Sequence, residues 1–134
     1  MRRLLVLAVL AAAASGCNLL TGDFQLSGVV DVAPRLRDRT PKENVMLFVI
    51  AENEGGVPVA VHRIVNPEFP APFHLNPSDL LVPSLGRREP LKLHAEMNTH
   101  GDVGRPVPGD LEGDAQGVFR PGDGGVSIVL DRVR

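Results

Sequence analysis

Aromatic residues are nearly missing from this sequence: there is no Trp, no Tyr and only 5 Phe among 134 residues. Stacking platforms for bases, sugars or peptides are therefore scarce. Cysteine occurs once, at Cys17, so no internal disulfide can form even in an oxidising compartment. Basic residues are in no excess, with 14 Lys+Arg against 16 Asp+Glu. That balance offers no positive field to draw in nucleic acid. No serine lies in a Gly-x-Ser-x-Gly context, and no Gly-x-Gly-x-x-Gly or phosphate loop is present. With no thiol beyond Cys17 and no sign of an apolar pocket to perturb a His or Asp, the sequence predicts a protein that is not an enzyme and carries no cofactor. The longest apolar run, Leu4 to Ala14, is too short to span a bilayer as a stable helix.

What that run does resemble is an address. Arg2 and Arg3 give a positive start, Leu4 to Ala14 an apolar centre, and Ala14-Ser15-Gly16 small residues before the cysteine. This is the pattern of a secretory signal peptide. The cysteine directly after Ser-Gly also resembles the lipobox of bacterial lipoproteins, with Ala14 where leucine is usual. The resemblance implies a signal peptide over 1–16, a lipidated Cys17 that becomes the first residue, and a short tether over 17–23. An acylated cysteine would hold the protein in the cell envelope facing the periplasm, since each buried acyl methylene contributes roughly 0.8 kcal/mol. Asn18 follows the cysteine instead of the aspartate of inner-membrane retention, which favours the outer membrane.

Residues 24–134 are expected to form one domain. Removing Arg2 and Arg3 with the leader leaves 12 basic against 16 acidic side chains. A chain of this size buries roughly two-thirds of its unfolded surface, enough for a core without disulfides. Phe24, Leu26, Gly28, Val30 and Val32 share one parity, the period of a half-buried strand. Ala33 to Asn44 is proline- and charge-rich and is predicted to be an exposed connection. Val45 to Ala51 is apolar on both parities, as a central strand covered on both faces would be. Asn53-Glu54-Gly55-Gly56 is a hairpin turn, and Val57 to Val65 the return strand. Phe73 to Leu75 is a short strand before the turn Asn76-Pro77-Ser78-Asp79, and Leu80 to Leu85, broken by Pro83, has no assignment. Leu91, Leu93, Ala95 and Met97 alternate with polar residues, favouring strand over a short helix. Gly101 to Gly125 reads as two turns around a weak strand at Val118-Phe119, and Val126 to Val133 as the last strand. The fold class is all-β, an immunoglobulin-like antiparallel β-sandwich of about seven short strands.

The order of these pieces is informative. GVVDVAP (28–34), LFVIAENEGGVPVAVHRI (47–64), PGDLEG (108–113) and VSIVLD (126–131) together resemble the C-terminal immunoglobulin-like domain of cytochrome c-type biogenesis protein H. The resemblance runs from about Leu26 to Val133. In that family the domain follows membrane segments and a helical repeat region, and the whole protein hands apocytochrome c to the haem-attachment machinery outside the cytoplasmic membrane. The sequence departs from the family in showing a lipid anchor where the helical repeats would be, in Leu80-Leu81 where methionines are usual, and in Ala95-Glu96 where an alanine-arginine pair is usual. The expectation is a non-catalytic protein-interaction module, accessory to c-type cytochrome biogenesis, with an envelope protein of cytochrome maturation as its partner. Contacts through sheet edges or through the acidic turn Gly109, Asp110, Leu111, Glu112 and Gly113 are expected.

Two metal readings compete with it. His94, Met97 and His100 could bind copper or zinc in a small lipoprotein. On a continuous strand, however, His94 and His100 stand roughly 20 Å apart and Met97 points to the other face. A shared site would need a sharp turn after Met97. Asp110, Glu112 and Asp114 suggest calcium, yet Ala115 and Pro121 stand where such a loop needs glycine and glutamate. A turn in which Asp110 bonds nearby backbone N–H groups is the expected alternative.

Overall fold

A computed structural model describes residues 24–82 and 89–134. The signal peptide over 1–16, Cys17 and the tether lie outside the described residues, as does the Pro83 to Leu85 end of the unassigned apolar run. Among the described residues eight strands form two sheets: β1 (Leu26–Val32), β2 (Met46–Glu52), β3 (Pro58–Val65), β4 (Ala71–Leu75), β5 (Lys92–Asn98), β6 (Leu111–Asp114), β7 (Val126–Leu130) and β8 (Arg132–Val133). One sheet has the order β4-β1-β7 and the other β3-β2-β5-β6-β8.

The alternation read from the sequence decides what enters the core. Phe24, Leu26, Val30 and Val32 are buried on one face of β1, as are Val126, Ile128 and Leu130 on β7 and Ala71, Phe73 and Leu75 on β4. They pack against Leu47, Val49 and Ala51 of β2, Leu93, Ala95 and Met97 of β5, and Leu111 of β6. Each fully buried leucine, isoleucine or phenylalanine contributes about 1.5–3 kcal/mol by leaving water. β2 is buried on both faces, for Phe48 and Ile50 are also inaccessible although they point away from that core.

The sandwich is as expected, with four differences of detail. β1 and β7 pair in parallel, Gly28 opposite Val126 through Val32 opposite Leu130, so the strands are not all antiparallel. The last strand is two: the Ala33 N–H bonds the Leu130 carbonyl at 3.0 Å, whereas the Asp131 N–H bonds the Glu112 carbonyl at 3.1 Å. The chain thus changes sheet after Leu130, and β8 pairs with β6. β6 itself was not expected, because its four residues carry one apolar side chain, too little for a periodic signal. It forms because it pairs with β5, Ala95 opposite Gly113 and Met97 opposite Leu111. Lastly, the connection after β1 folds as a 3-10 turn over Pro34–Arg39 that buries Leu36, so it is not wholly exposed.

Glycine is required at two close approaches: between the sheets, a Cβ on Gly113 would lie 1.8 Å from the Val129 carbonyl oxygen, and within the three-stranded sheet one on Gly28 would lie 2.0 Å from that of Val126. The hairpin between β2 and β3 is held by Asn53, whose Oδ1 accepts the N–H groups of Gly55 and Val57, each at 3.0 Å. Phe119 bridges to Leu91 as a single ladder contact.

Candidate interaction surfaces

The acidic turn before β6 is tied into the fold at each residue. Pro108-Gly109 form its corner, closed by the Asp110 N–H donating to the Val107 carbonyl at 3.0 Å. The Asp110 carboxylate accepts the Val107 N–H at 2.8 Å and meets His100 Nε2 at 2.8 Å. The Gly109 N–H donates to the Arg134 carbonyl, and the Arg134 N–H returns to that of Asp110. Leu111 is buried in the core and Gly113 sits against β7. Glu112 faces outward and receives Arg134 Nε at 3.0 Å and Arg132 Nε at 3.4 Å. Asp114 takes Arg132 at 2.9 Å. Asp110 therefore bonds backbone as expected of a turn, while Glu112 and Asp114 stand on a strand beside two guanidinium groups.

The three residues of the copper or zinc reading are not brought together. β5 continues through Met97, which is 2% exposed and points into the core between the sheets. His94 lies on the outer face, its Nδ1 3.6 Å from Glu52 and its Nε2 3.7 Å from Glu96. His100 belongs to the Asp110 pair. Among the described residues, no group of three or more His, Cys, Asp or Glu side chains is placed to hold a metal ion. His62 is half-buried and its Nδ1 meets Asp79 at 3.1 Å. Asp79 also closes the box on the Asn76–Asp79 turn by accepting the Asn76 N–H at 2.9 Å.

A second surface carries no sequence motif. On the outer face of the five-stranded sheet, Ile50, Pro58, Val61, Leu81 and Val103 line a cleft of about 340 Å³ whose polar groups are Glu52, His94 and Glu96. Antiparallel register aligns Val61, Ile50 and His94 across β3, β2 and β5. Glu96 is fixed by the Gly104 N–H, which donates to it at 3.0 Å. Burial opposes charging of His94, but the carboxylates of Glu96, Glu52 and Asp114 outweigh it and raise its pKa above the ordinary histidine value. The contact with His94 in turn lowers the pKa of Glu96, against the opposing effect of burial, with help from the Gly104 N–H. The only sequence signal for this cleft was the apolar double parity of β2, which called for something to cover its second face.

Two sheets packed face to face, with the chain passing from one to the other between β7 and β8, define an immunoglobulin-like β-sandwich. Residues 26–131 match the family of the cytochrome c-type biogenesis protein H Ig-like domain, and the chain belongs to that family. An uncharacterized protein of Aquifex aeolicus (strain VF5) is 33% identical over 109 residues, which is 81% of this chain and 71% of that protein. No solved structure matches.

Proposed function

We propose that this protein is a membrane-anchored, periplasm-facing lipoprotein whose β-sandwich acts as a non-catalytic interaction module in c-type cytochrome maturation. The observation that carries the reading is family membership over residues 26–131, nearly the whole of the folded domain. The anchor rests on the sequence around Cys17, and the outer membrane is the favoured location on the identity of Asn18. The partner is a component of the cytochrome maturation apparatus or its apocytochrome substrate, met outside the cytoplasmic membrane. Because the same sandwich hosts many functions, the partner has to be found by capture and not by fold.

Affinity purification of the tagged, full-length protein from detergent-solubilised membranes of its native host tests this. Recovery of apocytochromes or haem-attachment components supports the reading. A preparation free of them, from cells making c-type cytochromes, overturns it. The anchor is tested separately by metabolic labelling with an alkynyl fatty acid: label lost in Cys17→Ser supports lipidation, and label absent from the natural protein refutes it.

A further inference from the structure

The cleft on the outer face of the five-stranded sheet combines three properties rarely found at one place on a solvated sheet. Its floor is apolar, with buried Ile50 lining it together with Val61 and Pro58. Its walls are exposed apolar side chains, Leu81 at 56% and Val103 at 41%. Among the described residues its charged or titrating lining is two glutamates and a histidine, with no lysine or arginine. Exposed apolar walls around a concavity mark a contact site more often than isolated surface valines do.

Among the described residues, the cations around the cleft stand outside its lining, with Arg63 in the row of Glu96 beyond Phe48. Arg132 and Arg134 are held by Glu112 and Asp114 of β6, and Arg134 also acts on Glu96 from there. Arg105, next in the chain to the rim residue Gly104, pairs with Asp102. Lys92 stands opposite Glu52 in the strand register and lines a neighbouring hollow. Among the described residues lining the pocket, Glu52 and Glu96 present negative charge and His94 is the titrating group beside them.

We propose that this cleft binds a partner segment that places a branched apolar side chain next to a lysine or arginine, the apolar group entering over Ile50 between Leu81 and Val103 and the cation meeting Glu52 and Glu96. The inference rests on the interaction-module reading and names its surface. Desolvated beside apolar walls, the carboxylates attract a cation more strongly than they would in open water. Protonation of His94, faced by Glu52 from β2, Glu96 from β5 and Asp114 from β6, offsets that attraction. Binding therefore tightens as pH rises through the titration of His94.

The test uses the full-length protein in detergent and a fluorescein-labelled peptide of alternating Lys and Val, with a peptide of alternating Glu and Val as its counterpart, read by fluorescence anisotropy. Saturable binding of the Lys-Val peptide alone is expected, strengthening from mildly acidic to mildly alkaline pH. Leu81→Ser, at an exposed position, and the double change Glu52→Gln with Glu96→Gln should each weaken it at least fivefold while the melting curve stays cooperative. Equal binding of both peptides, no binding, or insensitivity to these changes overturns the proposal. A concentration-dependent dimer abolished by Leu81→Ser also overturns it, showing a second copy as the occupant. If maturation components co-purify equally with natural and Leu81→Ser protein, the cleft is refuted and the module reading stands. If none co-purify, the module reading falls and peptide binding still decides the cleft.

Discussion

The segment Gly109 to Gly113, a turn running into β6, and the cleft over Ile50 both hold carboxylates near β5 and β6, yet they use them differently. In the turn, Asp110 satisfies the Val107 N–H and His100, Glu112 holds two arginines, and the residues between are packed into the core or against β7. In the cleft, Glu52 and Glu96 flank one imidazole at 3.6 and 3.7 Å, beside apolar side chains that water still reaches. The segment that stands out in the sequence is thus committed to the fold. The cleft is assembled from β2, β3, β5 and two loops, and its one trace in the sequence is the apolar double parity of β2.

That contrast can be broken most forcefully at Gly113. A methyl group there would collide with the Val129 backbone, whose carbonyl oxygen and carbon would lie at 1.8 and 2.6 Å. Gly113→Ala is expected to cost about 3 kcal/mol or more, because neither strand can retreat without opening the junction of the sheets. Thermal denaturation checks this, and a change below about 1 kcal/mol would show that β6 is not locked against β7. Leu111→Ala, in the same motif, should cost roughly 2–5 kcal/mol through the cavity it leaves. Leu81→Ala in the cleft should stay within about 0.5 kcal/mol, being half in solvent already.

A smaller effect separates the two surfaces by their hydrogen bonds. Asp110→Asn retains one acceptor oxygen but weakens the charge-assisted contact to His100, and about 1 kcal/mol of destabilisation is expected in urea unfolding. The smallest effect is the pH dependence at His94. Its pKa is raised by folding, so its contribution to stability is complete below the ordinary histidine pKa and is lost as pH rises through the elevated folded value. Glu96 has the opposite sign: its pKa is lowered, so its contribution is present above the ordinary glutamate pKa and fades as pH falls through the depressed folded value. An NMR titration of the imidazole should place His94 above the unfolded histidine reference, and Glu96→Gln should bring it down. A titration at or below the reference in the natural protein would contradict the described geometry.

How far the sequence foretold these regions follows from how local each one is. β2 and its hairpin were legible because seven consecutive apolar residues and an Asn-Glu-Gly-Gly turn carry their own signals. β5 was legible against a helical rival because Leu93, Ala95 and Met97 alternate with polar residues, and the core accepts that parity. β6 was not, since Leu111 and Gly113 alternate over too short a span and their reason for being a strand is the pairing with β5, which is distant in sequence. The parallel pairing of β1 with β7 joins segments nearly a hundred positions apart and leaves no local trace. The metal reading of His94, Met97 and His100 depended on a bend after Met97 that β5 does not make. The cleft needed the register of three strands to bring Ile50, Val61 and His94 into one row.

The most direct measurement is affinity purification from solubilised membranes with two variants side by side, Leu81→Ser together with Val103→Ser in the cleft, and Asp110→Asn together with Glu112→Gln in the turn, compared well below the melting temperature of either. We expect the cleft variant to lose cytochrome maturation components while melting like the natural protein, and the turn variant to melt earlier while retaining them. Retention by the cleft variant with loss from the turn variant would contradict this assignment and return the interaction to the acidic turn.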